Sequence, residues 1–327
     1  MIRICALSMQ NPTRNLRSSK IPGGPIINIY SNMIRFIKSK REIMKHLFAF
    51  GLSLLWTFSG IAQQNYDSVQ VAPQRVKGNI FMLTGAGGNI GVLAGEDGIL
   101  MIDDQFLPLG KKIQAAIASL DKGPIRFTIN THIHGDHSGS NEYFKQIGST
   151  IVAHDVVRDR MIIAPRDKDA WPVITFPDRI SLHLNGQDID LIHFEPGHTD
   201  GDVIIHFKQA NVFHMGDVFV RYGYPYIDMN NGGNINGLIS AVEKAMKLMD
   251  EQSIIIPGHG ELCNKDEVKK YRDRLAAIRD QVAAALKQGK KPEDLAGLGI
   301  TKAYDEEWGK GFIKGKDFVL IVAAGLQ

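Results

Sequence analysis

The 327-residue chain is 44% hydrophobic and 22% charged, ordinary for a globular protein and enough to bury a core without staples. Its net charge of +3 conceals an asymmetry: residues 1–62 carry nine Lys/Arg against one Glu, so the chain from Gln63 onward stands at −5. A slightly acidic body lacks the basic footprint of a nucleic-acid binder, and with Cys5 upstream and Cys263 alone downstream it can form no internal disulfide after processing.

In chain order, residues 1–43 are basic and aperiodic, and Met33 or Met44 offers an alternative start. We expect this segment to be a disordered arm or a misplaced start. Met44, Lys45 and His46 then lead into an apolar run over 47–58, followed by Gly60, Ile61 and Ala62. That is the pattern of a secretory signal peptide cleaved after Ala62, with a run too short for a comfortable membrane span. The expectation is an exported protein, periplasmic or secreted, whose mature chain has no membrane span and forms one domain over 63–327.

From Gly78 the sequence reads as short strands over 80–84, 90–94 and 99–103, separated by glycine turns. Gly85, Ala86, Gly87 and Gly88 precede a strand rather than a helix, which makes them a hairpin turn and not a phosphate loop. A helix over 111–120 follows Pro108, and a strand over 125–129 follows Pro124. Next come a helix over 140–147, a strand over 150–153, a helix from Asp155 and an irregular loop over 164–176 with Pro165, Trp171 and Pro172. Strand alternation resumes over 180–184, 189–194, 203–207 and 212–215. The remainder predicts helices over 237–249 and 265–286, a buried strand over 254–256, a short helix after Pro292, and a final apolar run over 318–323 read as a strand. Strand-rich and helical segments alternate in both halves, which predicts an α/β four-layer sandwich, two sheets packed together with helices outside.

The strand over 125–129 opens into Thr131, His132, Ile133, His134, Gly135, Asp136, His137, Ser138 and Gly139. Three imidazoles and a carboxylate within six residues are hard to accommodate without a cation, because an unpaired buried charge costs several kcal/mol. Gly135 and Gly139 would permit the tight backbone that points the four side chains in two directions. Three later strands end the same way, on Gly197 and His198, on Gly216 and Asp217, and on Gly258 and His259. Four repetitions of strand, glycine and metal-type side chain point to a metal site.

The H-x-H-x-D-H motif of His132, His134, Asp136 and His137, with His198, Asp217 and His259 downstream, resembles the metallo-beta-lactamase superfamily, and the resemblance covers nearly the whole chain after residue 62. It implies the αββα fold of that family. It also implies two Zn²⁺, or Fe or Mn in their place, one held by His132, His134 and His198, the other by Asp136, His137 and His259, with Asp217 bridging. The implied reaction is hydrolysis of an activated carbonyl by a metal-bridging hydroxide that Asp136 orients, with no serine or cysteine nucleophile; Ser138 and Cys263 are then structural. Asp103 and Asp104, at a strand end, could accept the free N–H of a ligand histidine, as Thr131 and Thr199 could in a lesser way. His154, His183, His193, His206 and His214 lack a ligand setting.

Arg221 and the alternating Tyr222, Tyr224 and Tyr226 follow Asp217 closely and suggest a substrate wall with an anionic anchor, which Trp171 could face. Many beta-lactamases of the family carry cysteine or serine where this chain has Asp217; the aspartate resembles glyoxalase II, lactonases and general hydrolases. The expected partner is a small molecule: a lactone, beta-lactam, ester or thioester. A glyoxalase II-like thioesterase is weakened by the short tail after His259. An iron persulfide dioxygenase would use only part of the ligand set, and a non-catalytic metal-binding role would be expected to have lost ligands. No sequence feature fixes the oligomeric state.

Overall fold

A computed structural model of the chain describes residues 65–164 and 166–326. The expected signal peptide, its cleavage point and the upstream arm lie outside these residues. The chain divides after Gln64, and the second unit, Asn65–Gln327, carries everything described below.

Twelve strands build two sheets. The first joins β1 (Ala72–Lys77), β2 (Ile80–Thr84), β3 (Ile90–Leu93), β4 (Ile99–Ile102), β5 (Ile125–Ile129), β6 (Thr150–His154) and β7 (Ile174–Phe176) in sequence order. It is antiparallel to β4 and parallel from there. The second runs β12 (Ile254–Ile256), β11 (Val212–His214), β10 (Ile204–Phe207), β9 (Gln187–Ile192) and β8 (Arg179–Leu184). The helices are α1 (Gly110–Ala118), α2 (Gly135–Ser138), α3 (Asn141–Gln146), α4 (Asp155–Ile163), α5 (Ile235–Met246), α6 (Lys265–Lys287), α7 (Pro292–Leu295), α8 (Asp305–Trp308) and α9 (Gly315–Ala324).

Period-two alternation sets the layers, because successive strand side chains leave opposite faces. In β4, Leu100 and Ile102 enter the core between the sheets with Ile189, Leu191, Phe207 and Ile256. Ile99 and Met101 turn the other way onto Leu109, Ile113 and Phe144 beside α1 and α3. Phe213 and Ile255 of the second sheet likewise face away from the first, onto Leu238 and Val242 of α5, Leu275 and Ile278 of α6, and Phe318 of α9. Three apolar seams thus separate four layers, the αββα sandwich expected from the sequence.

Three expected elements need correction. The final apolar run is helical: Phe318, Val319, Val322 and Ala323 are buried on one face of α9, a spacing of three and four that a short run of uniformly apolar residues conceals. The segment after His259 therefore holds four helices rather than two helices and a strand. The stretch over 164–176 is not wholly irregular, since its end pairs as β7 in parallel with β6. Strand β1 was not foreseen; it is an exposed edge carrying Pro73, a placement proline tolerates because an edge strand has spare donors. Among the described residues no helix is long and apolar enough to cross a membrane.

Candidate metal centre

All seven ligand-type side chains lie at one rim, where strands end. The loop after β5 delivers His132, His134, Asp136 and His137 from the first sheet. The loops after β9, β11 and β12 deliver His198, Asp217 and His259 from the second. Three groups of ligand atoms each fall within 4.8 Å of one another: His132 with His134 and His198, His132 with His137 and Asp217, and Asp136 with His137 and His259.

The backbone is shaped for this convergence. Gly216 takes a left-handed φ of 49° just before Asp217, and a Cβ on Gly258 would lie 2.0 Å from Asp217 Oδ1, so only glycine fits either place. The expectation for the first loop is revised. Gly135 and Gly139 both lie outside the left-handed region and the loop turns through the single helical turn α2, but a Cβ on Gly139 would lie 2.3 Å from the Gly135 carbonyl O, so the tight backbone expected there does need glycine at 139. The β2–β3 hairpin closes the floor: Asn89 donates from its backbone N to Gly258 O (2.7 Å) and from Nδ2 to Pro257 O (2.9 Å).

Hydrogen bonds fix which ring nitrogen points inward. His137 Nδ1–H donates to Asp103 Oδ2 at 2.7 Å, His198 Nδ1–H to the Tyr226 carbonyl at 2.7 Å, and His134 Nε2–H to Asp228 Oδ2 at 2.8 Å. Thr131 Oγ1 donates to Asp103 Oδ2 (2.8 Å), which leaves its lone pair for His132 Nδ1–H at 3.0 Å. A carboxylate or carbonyl can only accept, so in the neutral rings the opposite nitrogen bears a lone pair. Those lone pairs face one another: His132 Nε2 to His134 Nδ1 at 3.2 Å, and His134 Nδ1 to His198 Nε2 at 2.8 Å. On the other side His137 Nε2 faces Asp217 Oδ1 at 3.2 Å and His259 Nε2 at 3.2 Å, while His259 Nε2 lies 3.2 Å from Asp136 Oδ2.

Acceptors that converge on acceptors need a cation between them. Asp217 Oδ1 is buried without a hydrogen-bond partner, and five imidazoles with two carboxylates form the donor set that suits Zn²⁺ and related ions. Burial drives His132 well below the usual histidine range and His198 down to about 4, so both stand neutral and ready to ligate at pH 7. Burial works against protonation of His137 and His259 too. Even so, Asp217 with Asp103 lifts the first well above its ordinary value, and Asp217 with Asp136 lifts the second to about 9. The carboxylate field that would retain those protons also attracts a metal ion in their place.

The family model of the metallo-beta-lactamase superfamily matches residues 83–259, more than half of the chain and ending on His259. The chain belongs to the metallo-beta-lactamase superfamily. It is an enzyme of that superfamily, a metal-dependent hydrolase, and the αββα layers are that superfamily's fold. Its relatives include the hydroxyacylglutathione hydrolase of Polaromonas sp., 26% identical over 211 residues that cover 63% of this chain and 74% of the relative. The acyl-coenzyme A thioesterase MBLAC2 of Gallus gallus is 24% identical over 210 residues, covering 55% of this chain and 74% of its own. A metallo-beta-lactamase from Pontibacter korlensis superposes with a TM-score of 0.57 at 15% identity, over 63% of this chain and 99% of that one, a likeness of fold alone.

In this superfamily enzyme the candidate metal ligands open on a cavity of about 560 Å³ lined by Phe106, His134, Gly135, Asp136, His198, Asp217, Tyr222, Tyr226, His259 and Phe312. Of the expected substrate wall, Tyr222 and Tyr226 are present. Tyr224 is fully buried and donates its hydroxyl to Asp305 Oδ1 at 2.7 Å. Arg221 turns away to the Glu261 and Leu262 carbonyls, and Trp171 packs in the small cluster of Ile133, Ala153, Val157 and Met161. In a loop the backbone path, not the residue spacing, decides direction, and alternate tyrosines here fall on opposite sides.

Asp103 accepts from His137, a candidate ligand histidine, whereas the Asp104 carboxylate accepts from Ser140 N at 2.8 Å and reaches no imidazole; burial raises its carboxyl well above the usual range. Thr131 reaches Asp103 as described. Thr199 instead joins Asp202, whose carboxylate accepts from the backbone N of His198 (2.7 Å) and of Thr199 (3.0 Å). Sequence reasoning missed Asp202, Asp228, Phe106 and Phe312. The only signal for Asp228 was its place before Met229 and two asparagines, a helical-turn cap that accepts from Asn230 N and Asn231 N. Ser138 donates to the Ile133 and His134 carbonyls and Cys263 is half-buried beside β12, both as structural residues. None of the five histidines set aside joins the ligand groups.

Proposed function

We propose that the chain is a dinuclear zinc hydrolase of activated carbonyl compounds, a lactone, beta-lactam, ester or thioester, acting outside the cytoplasmic membrane. The observation that carries this reading is the convergence of ligand-type atoms from five histidines and Asp136 on two flanks of Asp217, whose buried Oδ1 has no hydrogen-bond partner. His132, His134 and His198 would hold one ion and Asp136, His137 and His259 the second, with Asp217 between them. Two such ions, when bound, lower the pKa of a coordinated water toward neutrality and polarise a carbonyl oxygen.

The chain's own residues prepare the rest. Asp103, Asp228 and the Tyr226 carbonyl hold the imidazoles in one tautomer, so the ligand atoms are set before substrate arrives. Burial opposes ionisation of Asp136, but the bond from His259 and the charge of His137 keep its carboxyl below the usual range. It therefore faces the cleft as an ionised acceptor able to orient an attacking water and take its proton. Tyr222, Tyr226 and Phe312 present aromatic faces on one side of the cleft. Burial raises the Tyr222 phenol, which stays neutral and available as a donor.

A thioester fits this reading best among the four substrate classes, because the matched Polaromonas and Gallus proteins are both named for thioester-type substrates and the four-helix tail removes the objection of a meagre C-terminus. The basic start and apolar run over 44–62 support export. The deciding experiment measures metal content beside hydrolysis of a lactam, a lactone, a thioester and a phosphodiester. Two zinc ions per chain and turnover of a carbonyl probe are expected; one iron per chain, or turnover of the phosphodiester alone, would refute the proposal.

A further inference from the structure

The metal cleft does not end at Gly135. That residue also lines a second cavity of about 460 Å³, whose walls include the apolar Tyr66, Phe106, Leu107 and Pro108 and the polar Ser138 and Arg166. Phe106 and Gly135 are common to both cavities, so the two adjoin and these residues mark the elbow between them, next to the metal ligands of the first. Packing does not demand a glycine at 135: an ideal Cβ there would find only Arg166 Nη2 within 4 Å, at 3.9 Å, and φ is not left-handed. With no side chain, it adds nothing but backbone to the boundary between the cavities.

Arg166 is held rather than neutralised. Its Nη2 donates to the Ile133 carbonyl at 2.9 Å and its Nη1 to Ser138 Oγ at 3.0 Å. Both are neutral acceptors on the ligand loop. No described carboxylate lies in ion-pair distance of it. Glu142 and Asp167, the acids of this cavity, are otherwise engaged, Glu142 with Gln146 and Asp167 as acceptor from Asp169 N. Burial of the guanidinium lowers its pKa, and the field of Asp104 offsets this only in part. A half-buried guanidinium with donors to spare and no carboxylate in ion-pair contact is a place for an anion, since five N–H groups in a planar fork match a carboxylate.

We propose that Arg166 selects substrates in which the reacting carbonyl bears an apolar arm ending in a carboxylate: the carbonyl sits at the elbow, the arm lies against Phe106, Leu107 and Pro108, and the carboxylate meets the guanidinium. This rests on the carbonyl-hydrolase reading above and extends it from a reaction to a substrate shape. It also moves the anionic anchor expected at Arg221 to the opposite side of the cleft.

Two probes of equal chain length test it on the full-length protein, mono(4-nitrophenyl) adipate with a terminal carboxylate and 4-nitrophenyl hexanoate without one. The expected ratio of kcat/KM, adipate ester over hexanoate ester, is at least about tenfold; it should fall to near one in Arg166→Gln and recover in part in Arg166→Lys. A role limited to holding the ligand loop would depress both esters together and leave the ratio unchanged, which would overturn the proposal. Binding gives a second readout: saturation-transfer NMR with sodium hexanoate should show contact that weakens at least about tenfold in Arg166→Gln. Hexanoate that fails to bind, or binds both proteins alike, sinks the inference by itself. Failure of every ester to turn over would instead count against the carbonyl reaction, with the hexanoate titration still deciding the role of Arg166.

Discussion

Asp103 and Asp104 are neighbours at the end of β4, and their backbones send them to different tasks. Asp103 adopts a left-handed φ of 62°, tolerable for a short polar side chain, and gathers Thr131 N, Thr131 Oγ1 and His137 Nδ1 on one carboxylate. Replacing it with Ala removes the anion that orients His137 and strains the turn; Asp103→Asn keeps the turn and part of the bonding. We expect Asp103→Ala to cost about 10- to 100-fold in metal affinity or activity, with Asp103→Asn closer to the parent, measured by metal titration and kcat/KM. Removing a ligand is harsher. His198→Ala should lose metal and most activity together, and a fully metallated, fully active variant would end the ligand assignment. Cys263 offers a contrast, because burial pushes its thiol up to about 12. In a Cys5→Ser background its alkylation by iodoacetamide should be slow at pH 8 and climb with pH without a plateau near 9. The sign for stability follows: the native state keeps a proton that the unfolded thiol releases, so this residue's contribution declines as pH rises from the ordinary thiol range toward 12. What the sequence could not tell at this scale was direction. Arg221 lies four residues from Asp217 and points away, whereas Arg166, with no motif around it, lies beside the ligand loop.

At the scale of elements, the strand ends were the most legible feature. An apolar run, a glycine and then His or Asp announces a backbone that stops pairing, turns sharply and exposes one side chain, and four such runs found all seven converging groups. The signal fails where hydrophobicity has no period or where polarity masks a strand. Strand β1 is exposed along most of its length and carries Pro73, so alternation could not reveal it. Helix α9 is apolar over most of a short span, and only its packing against α6 and α7 decides between helix and strand. Its central residue, Phe318, is fully buried and stacks on Tyr224 with ring centroids 5.1 Å apart. Phe318→Ala should destabilise the fold by about 3–5 kcal/mol in chemical denaturation. Little loss would mean that α9 is a dispensable appendage instead of part of the outer layer.

Across the whole molecule, the candidate metal groups are shared between the sheets. Each of the three draws two side chains from the loop after β5 and one from a loop of the second sheet. The layers were legible in advance because alternation appears in both halves; the sharing of ligands was not, since no sequence pattern states which rims meet. Cations bound there brace the sandwich across its middle seam. If the ions are present at about a thousand times their dissociation constant, mass action adds about 4 kcal/mol per site to stability, which corresponds to roughly 10 °C in Tm for a domain of this size. Chelation should therefore lower Tm by that order and abolish hydrolysis, with both restored by added zinc. A chelated protein that melts at the same temperature would contradict bracing.

Because neither sheet owns a complete set of donors, coordination cannot mature until the two halves have met. A chain refolding with cobalt as a coloured surrogate would develop its visible absorption band only on docking, later than far-ultraviolet dichroism reports its helices. The colour would serve as a stopwatch for the last assembly step, and a fragment ending before His198 should never turn blue.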